Sequence, residues 1–130
     1  MELLMQKLCM NGDLGIHGNL FGGNMLAWLD EAAASYACAL CHTPNMVTLK
    51  LEEVVFKRPV KLGFQIRIYG EIERVGNSSI TLRIEARKYN VYSAEETVVC
   101  STRMVFVRID ESGDTVALPG PVRERYANKK

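Results

Sequence analysis

Two adjacent glycines, Gly22 and Gly23, open an apolar run, and a carboxylate, Asp30, follows seven residues later. The stretch reads FGGNMLAWLDEAAA, from Phe21 to Ala34. Asp30 and Glu31 are the only charges between Asp13 and Lys50. Backbone N–H groups in the first turn of a helix lack intrahelical partners and lie at its positive dipole end. Glycines there let a substrate carbonyl approach the backbone. Such donors stabilise the oxyanion of a tetrahedral intermediate by roughly 3–4 kcal/mol each in measured cases. A carboxylate in the same site can act as general base on water or as nucleophile. A mid-helix Asp is also commonly a solvated surface residue, and Glu31 reads as one.

The spacing adds a constraint. Gly23 and Asp30 fall on nearly the same helix face, but seven residues rise about 10.5 Å along the axis. That is too far for both to touch one reacting carbon. An acid serving these amides must come from a second helix running antiparallel across a two-fold axis. The expectation is two equivalent sites per homodimer, each built from both chains.

The elements that hold these residues follow from periodicity. NGDLGIHGNLFGG carries five glycines in thirteen residues and reads as a loop needing special backbone angles. From Gly23 to about Leu40, apolar residues recur at three- and four-residue spacings, from Met25 and Leu29 to Ala33, Tyr36 and Ala37. Pro44 ends this helix. Residues 1–10 alternate loosely as an opening strand. MVTLKLEEVVF alternates, then shifts phase at Glu52–Glu53, which predicts a bulge. FQIRIYGEIERV and SSITLRIEARKYNV alternate cleanly, with a GNSS hairpin turn at their junction. ETVVCSTRMVFVRID is apolar on both faces and reads as a central strand. ESGD is a further turn, and LPGPVRERYANKK reads as polar and loosely ordered. One long helix with four or five hairpin-linked strands is an α+β domain. A single helix covers too little of such a sheet, so apolar surface remains for dimerisation.

Composition sets bounds. The 130 residues fit one domain, and 48% hydrophobic residues suffice for a packed core. Sixteen Lys+Arg against fifteen Asp+Glu give a net charge of +1, which offers no support for nucleic acid or an anionic membrane as partner. No stretch approaches the roughly 20 apolar residues of a membrane span. The start MELLMQKLCM lacks a signal peptide's basic region and long apolar core. A cytoplasmic location is therefore expected, with Cys9, Cys38, Cys41 and Cys100 reduced. CALCH, Cys38 to His42, has the spacing of c-type haem attachment. It falls on the tail of an Ala-rich helix in a chain without an export signal, so the cysteines read as small core residues. No second C-x-x-C accompanies it, which argues against zinc.

GNLFGGNMLAWLDEAA resembles the helix-entry signature of the hotdog-fold acyl-CoA thioesterases, in their cytosolic acyl-CoA hydrolase branch. VTLKLEEVVFKRPVKLG resembles that family's next strand, with its F-x-R-P-V motif spelled Phe56, Lys57, Arg58, Pro59, Val60. GNSSI is similar to the following hairpin and STRMVFVRIDESG to the last strands. The resemblance runs from about Asp13 to Leu118. It implies a hotdog fold over residues 1–120, an antiparallel sheet wrapped around one long central helix, followed by a polar tail at 121–130. It implies paired dimers, with a trimer of dimers allowed. It also implies hydrolysis of an acyl-CoA to free acid and CoA with no metal or other cofactor. Asp30 takes the family's catalytic acid, and the N–H of Gly22 or Gly23 its carbonyl-polarising role. One position departs. Relatives often carry Asn seven residues before the glycine pair, where this chain has Gly15. That amide's work then falls to a neighbour such as Asp13, His17 or Asn19, or is missing.

The remaining candidates are substrate contacts. His17 and Asn19 stand in the glycine loop, and the strand holding Thr48 lines the site in the family. Arg58 and Ser79 could hold CoA phosphates by charge-assisted bonds, although a charged strand edge is also simply solvated. Trp28, Tyr36 and Met residues are expected at the pocket floor. Two other readings remain: a hotdog dehydratase of 3-hydroxyacyl thioesters, for which His17 is the only candidate, and a non-catalytic acyl-CoA-binding module.

Overall fold

The period-two alternation becomes a single sheet because each alternating segment has one face to bury. The computed structural model describes all 130 residues. The strands are β1 (Glu2–Leu8), β2 (Met46–Phe56), β3 (Gln65–Val75), β4 (Ser79–Tyr89) and β5 (Glu96–Arg108), and the long helix α1 spans Gly22–Cys41. They form one antiparallel sheet in the order β1-β3-β4-β5-β2. α1 contacts all five strands, so the sheet wraps around it as the hotdog resemblance implies. No helix is long and apolar enough to cross a membrane.

The alternation reads out directly as burial. Ile66 and Ile68 of β3 and Ile80, Leu82, Ile84 and Ala86 of β4 are all at most 1% exposed. α1 meets this floor with Met25, Trp28, Leu29, Ala32, Ala33, Ala37 and Cys41. Alanines at three of these positions let the helix axis lie close to the sheet. Gly70 serves the same closeness from the sheet side. A Cβ there would stand 2.7 Å from Leu4 Cδ1 and 3.4 Å from Tyr36 Cδ2.

The expected bulge is present. The β2–β5 register shifts between Glu52 and Val55, with Glu53 at φ 52°, and shifts again between Thr48 and Lys50. The GNSS turn joins β3 to β4, closed by Gly76 N–H donating to Ser79 O at 2.8 Å. β5 lies inside the sheet, flanked by β4 and β2. Cys38 and Cys41 sit on the last turns of α1. His42 is its C-cap in the left-handed region (φ 53°), its N–H donating to Cys38 O.

The C-terminal segment corrects the expectation of a loose end. Residues Gly120–Arg125 form a short helix α2, and Ala127–Lys129 a 3₁₀ turn. Leu118 and Val122 are 1% and 2% exposed, and Tyr126 packs against the same core. Three apolar anchors suffice to dock the segment, too few to show as periodicity.

Two measurements follow. Ala33 is fully buried between α1 and the sheet, so Ala33→Leu should destabilise by about 1–3 kcal/mol through overpacking. Ala39→Leu, on the exposed side of the same helix, should stay within about 0.5 kcal/mol. Urea midpoints decide, and equal midpoints for the two variants contradict close packing at residue 33. The second concerns pH. Burial pushes the Cys41 and Cys100 thiols up from 9.0 to about 11. The folded chain therefore keeps protons that the unfolded chain gives up. The stability these thiols contribute is complete below pH 9 and is lost as the pH rises toward 11. The urea midpoint should fall across that window, and less steeply in Cys41→Ala/Cys100→Ala.

Candidate active site

The head of α1 is left uncapped. Phe21 is the N-cap residue and makes no side-chain cap bond. The N–H groups of Asn24 and Met25 both donate to Phe21 O, at 3.0 and 3.1 Å. The amides of Gly22 and Gly23 have no backbone acceptor. Two donors thus remain at the positive end of a twenty-residue helix.

The loop before the helix is held against them by bonds from several sides. Asp13 O accepts from Phe21 N–H at 3.0 Å and from Asn24 Nδ2 at 3.1 Å. The Asp13 carboxylate accepts from Met10 N–H at 2.8 Å. Leu20 N–H donates to Val60 O at 2.7 Å, and Asn19 bridges to Lys61. Lys57 and Arg58 N–H groups both reach Val99 O. The glycine loop and the Phe56–Val60 segment therefore form two facing walls.

Between them lies a cavity of about 590 Å³. It brings together His17, Asn19, Gly22 and Arg58, four of the residues singled out in the sequence, with Phe21, Phe56 and Met25 as apolar lining. Phe21 and Phe56 are 58% and 53% exposed, large for aromatic rings beside a cavity. Gly23 adjoins it through Phe21. A Cβ on Gly23 would lie 2.7 Å from Phe21 Cε2, so only glycine fits beneath the ring as it stands. Lys57 and Arg58 give the cavity two cationic groups, and no carboxylate lines it. Its field suits an anion with an apolar portion.

Asp30 lies elsewhere on the helix. Its Oδ1 accepts a 2.6 Å hydrogen bond from Thr48 Oγ1. Thr48 belongs to β2, the open edge strand, where Val47, Leu49 and Leu51 are 39%, 59% and 36% exposed. The partly buried carboxylate is thus oriented by a neighbour, with Oδ2 making no side-chain bond. Glu31 is exposed. Ser79 lines a different cavity with Lys50, Arg74 and Lys130.

The expected floor is corrected. Trp28 is 7% exposed in the core with Lys7 Nζ 5.2 Å above its ring, and Tyr36 rests against Gly70. Neither lines the cavity, and Met25 does. The sequence reading passed over Phe21 as a wall and Asn24 as the residue tying loop to helix. Asn24, one position past the glycine pair, was a polar residue at a helix start, and that was the available signal.

A family model described as the thioesterase superfamily matches residues 17–100. The chain belongs to that superfamily. A Haemophilus influenzae protein described as an uncharacterized acyl-CoA thioester hydrolase is 30% identical over 120 residues, covering 90% of this chain and 77% of that one. Among solved structures, a hexameric broad-specificity acyl-coenzyme A thioesterase, in a form with an Asp replaced by Ala, superposes with TM-score 0.86 at 27% identity. That match covers 98% of this chain and 96% of the other. A hexameric hotdog-fold thioesterase of Campylobacter jejuni gives 0.83 at 29% identity, covering 98% and 97%.

Proposed function

We propose that the protein is an acyl-CoA thioesterase that hydrolyses acyl-CoA to a free acid and CoA at sites shared between two copies of the chain. One observation carries the shared site. The cavity with the unpaired amides and the basic rim holds no carboxylate, while Asp30 is held by Thr48 beside the open β2 edge. The exposed row Val47, Leu49, Leu51, Val55 and Phe56 gives that edge an apolar surface suited to a second copy. Pairing there across a two-fold axis carries Asp30 of one protomer toward the glycine amides of its partner. The solved relatives described as hexameric fit an assembly of such pairs.

In this reading the thioester carbonyl oxygen accepts from the Gly22 and Gly23 amides. The helix dipole and these donors stabilise the oxyanion as water adds. Asp30 takes the proton from that water. Thr48 fixes its Oδ1 and leaves Oδ2 to act as base. The tetrahedral intermediate collapses with loss of the CoA thiolate, which takes the proton held on Asp30, so the carboxylate is restored and the free acid departs. Arg58 and Lys57 hold phosphate groups of CoA at the cavity mouth, and His17 and Asn19 contact the substrate there. Ser79, in a separate cavity with Lys50, Arg74 and Lys130, is a further group that could hold a CoA phosphate. The reaction so drawn uses no metal or redox cofactor.

Asp30→Asn should retain the fold and lose about 10²–10⁴-fold in kcat, the range for removing a general base. Glu31→Gln should be nearly silent. Thr48→Val, which removes the hydroxyl that orients Asp30, should fall between them. Steady-state assays with butyryl-CoA, with melting curves as control, check all three. Near wild-type kcat in Asp30→Asn removes Asp30 from the mechanism.

The shared site predicts rescue between two inactive chains. One carries Asp30→Asn and the other Gly22→Pro. Phe21 already has φ −63° and ψ 131°, a conformation proline accepts before it, and position 22 is the first helical residue. A Cβ there would be 3.5 Å from Phe56 Cζ, an ordinary contact. Unfolding and refolding the two together gives half heterodimers, each with one intact site. About a quarter of wild-type activity should return, by counting on a two-fold dimer. A mixture that stays inactive while both variants are folded and assembled refutes the shared site.

A further inference from the structure

Of the glycines around the cavity, one has no local reason to be glycine. Gly18 has φ 75°, where side chains are strained. Gly23 lies under the Phe21 ring, where a Cβ would stand 2.7 Å from Cε2. At Gly22 a Cβ would meet only ordinary contacts, but its free amide must be approached closely by the substrate. Gly15 has none of these reasons. Its φ is outside the left-handed region. A Cβ there would stand 3.5 Å from Phe21 Cδ1, 3.6 Å from Phe21 Cβ and 3.7 Å from Asn19 O, all ordinary contacts. Its N–H donates to Asn19 O at 2.7 Å, and its carbonyl accepts from Gly18 N–H at 3.1 Å. Any residue but proline could make both bonds.

Gly15 lines the same cavity as Gly22. The missing side chain therefore relieves no strain and leaves room in the cavity wall. The Phe21 ring shows where that room lies. Position 15 faces its Cδ1 edge, and Gly23 sits beneath its Cε2 and Cδ2 edge. The Phe21 Cβ lies 3.6 Å from a Cβ at position 15, and the Phe21 carbonyl carbon is bonded to the Gly22 nitrogen, so the space adjoins the Gly22 amide. With a carbonyl oxygen on that amide, only the first carbons of an acyl chain come so near.

We infer that Gly15 adapts this site to acyl-CoA thioesters branched at the carbon next to the carbonyl. The inference rests on the thioesterase reading above. The branch occupies the space a side chain at residue 15 would fill and packs on the Phe21 ring. A straight chain does not need that space.

Butyryl-CoA and isobutyryl-CoA have the same atoms and differ only in that branch, so their ratio isolates the effect. The wild-type enzyme should hydrolyse isobutyryl-CoA with kcat/KM within about threefold of butyryl-CoA, less than one methylene group is worth in a tight pocket. Gly15→Val should lower kcat/KM for isobutyryl-CoA about tenfold or more beyond its effect on butyryl-CoA. Gly15→Ala should shift the ratio the same way by less. Should Gly15→Val fold poorly by melting curve, Gly15→Ala carries the test, since its Cβ meets nothing closer than 3.5 Å. An unchanged ratio in the folded variants overturns the role of Gly15, while turnover of butyryl-CoA by wild type keeps the thioesterase reading. Failure of wild type to hydrolyse either ester removes that reading instead. Calorimetry with the non-hydrolysable S-butyl and S-isobutyl thioethers of CoA then decides separately. Selective loss of the branched thioether in Gly15→Val supports the inference, and parallel affinities overturn it.

Discussion

A backbone N–H without an acceptor is costly to hide and useful to expose, and the first turn of α1 holds two. Much of the surrounding structure serves to keep them in that condition. The chain offers no side-chain cap, because Phe21 occupies the capping position and turns an aromatic face toward Gly23. Asn24, which could have competed for the turn, is engaged by Asp13 O. The sheet wraps the rest of the helix and fixes its axis through Leu29, Ala33 and Ala37, so the turn cannot tilt to find other partners. Burial of one end of the helix and exposure of the other are parts of one arrangement.

The charges divide accordingly. Lys57 and Arg58 stand with the amides, and the carboxylate is sent seven residues down the helix to Thr48. A carboxylate beside the free N–H groups of a single chain would accept from them and cancel their field. Separating the two within one chain leaves both free of each other.

The sequence revealed the parts of this arrangement that have a short-range signature. Ile66, Ile68, Ile80, Leu82 and Ile84 alternate because one face of each strand is buried, and the phase slip at Glu52–Glu53 marks a residue with no partner across the ladder. The glycine pair and a lone acid in an apolar run likewise stood out. What stayed hidden depends on distance along the chain. The cavity walls are joined by Leu20 with Val60 and Asn19 with Lys61, some forty positions apart, and nothing local announces those pairings. Trp28 and Tyr36 share a helix with Met25, and only the curvature of the sheet decides which of them meets the cavity. α2 is one turn and a half long, too short for periodicity, and exists because Leu118 and Val122 find the core.

The two irregularities of β2 bear on how copies of this chain recognise one another. An open apolar edge is ordinarily a hazard, since any flat strand can extend it and growth has no natural end. β2 is not flat. It bends near Thr48 and again near Glu53, so its free ladder matches only a strand bent at corresponding places in the opposite direction. In the proposed pairing that strand is the partner's β2, turned end for end, and the kinks narrow which strands the edge can accept. The far edge, β1, mixes exposed Glu2 and Gln6 with exposed Leu3 and Leu8, and its own register shift between Leu3 and Met5 keeps it from being a flat template either.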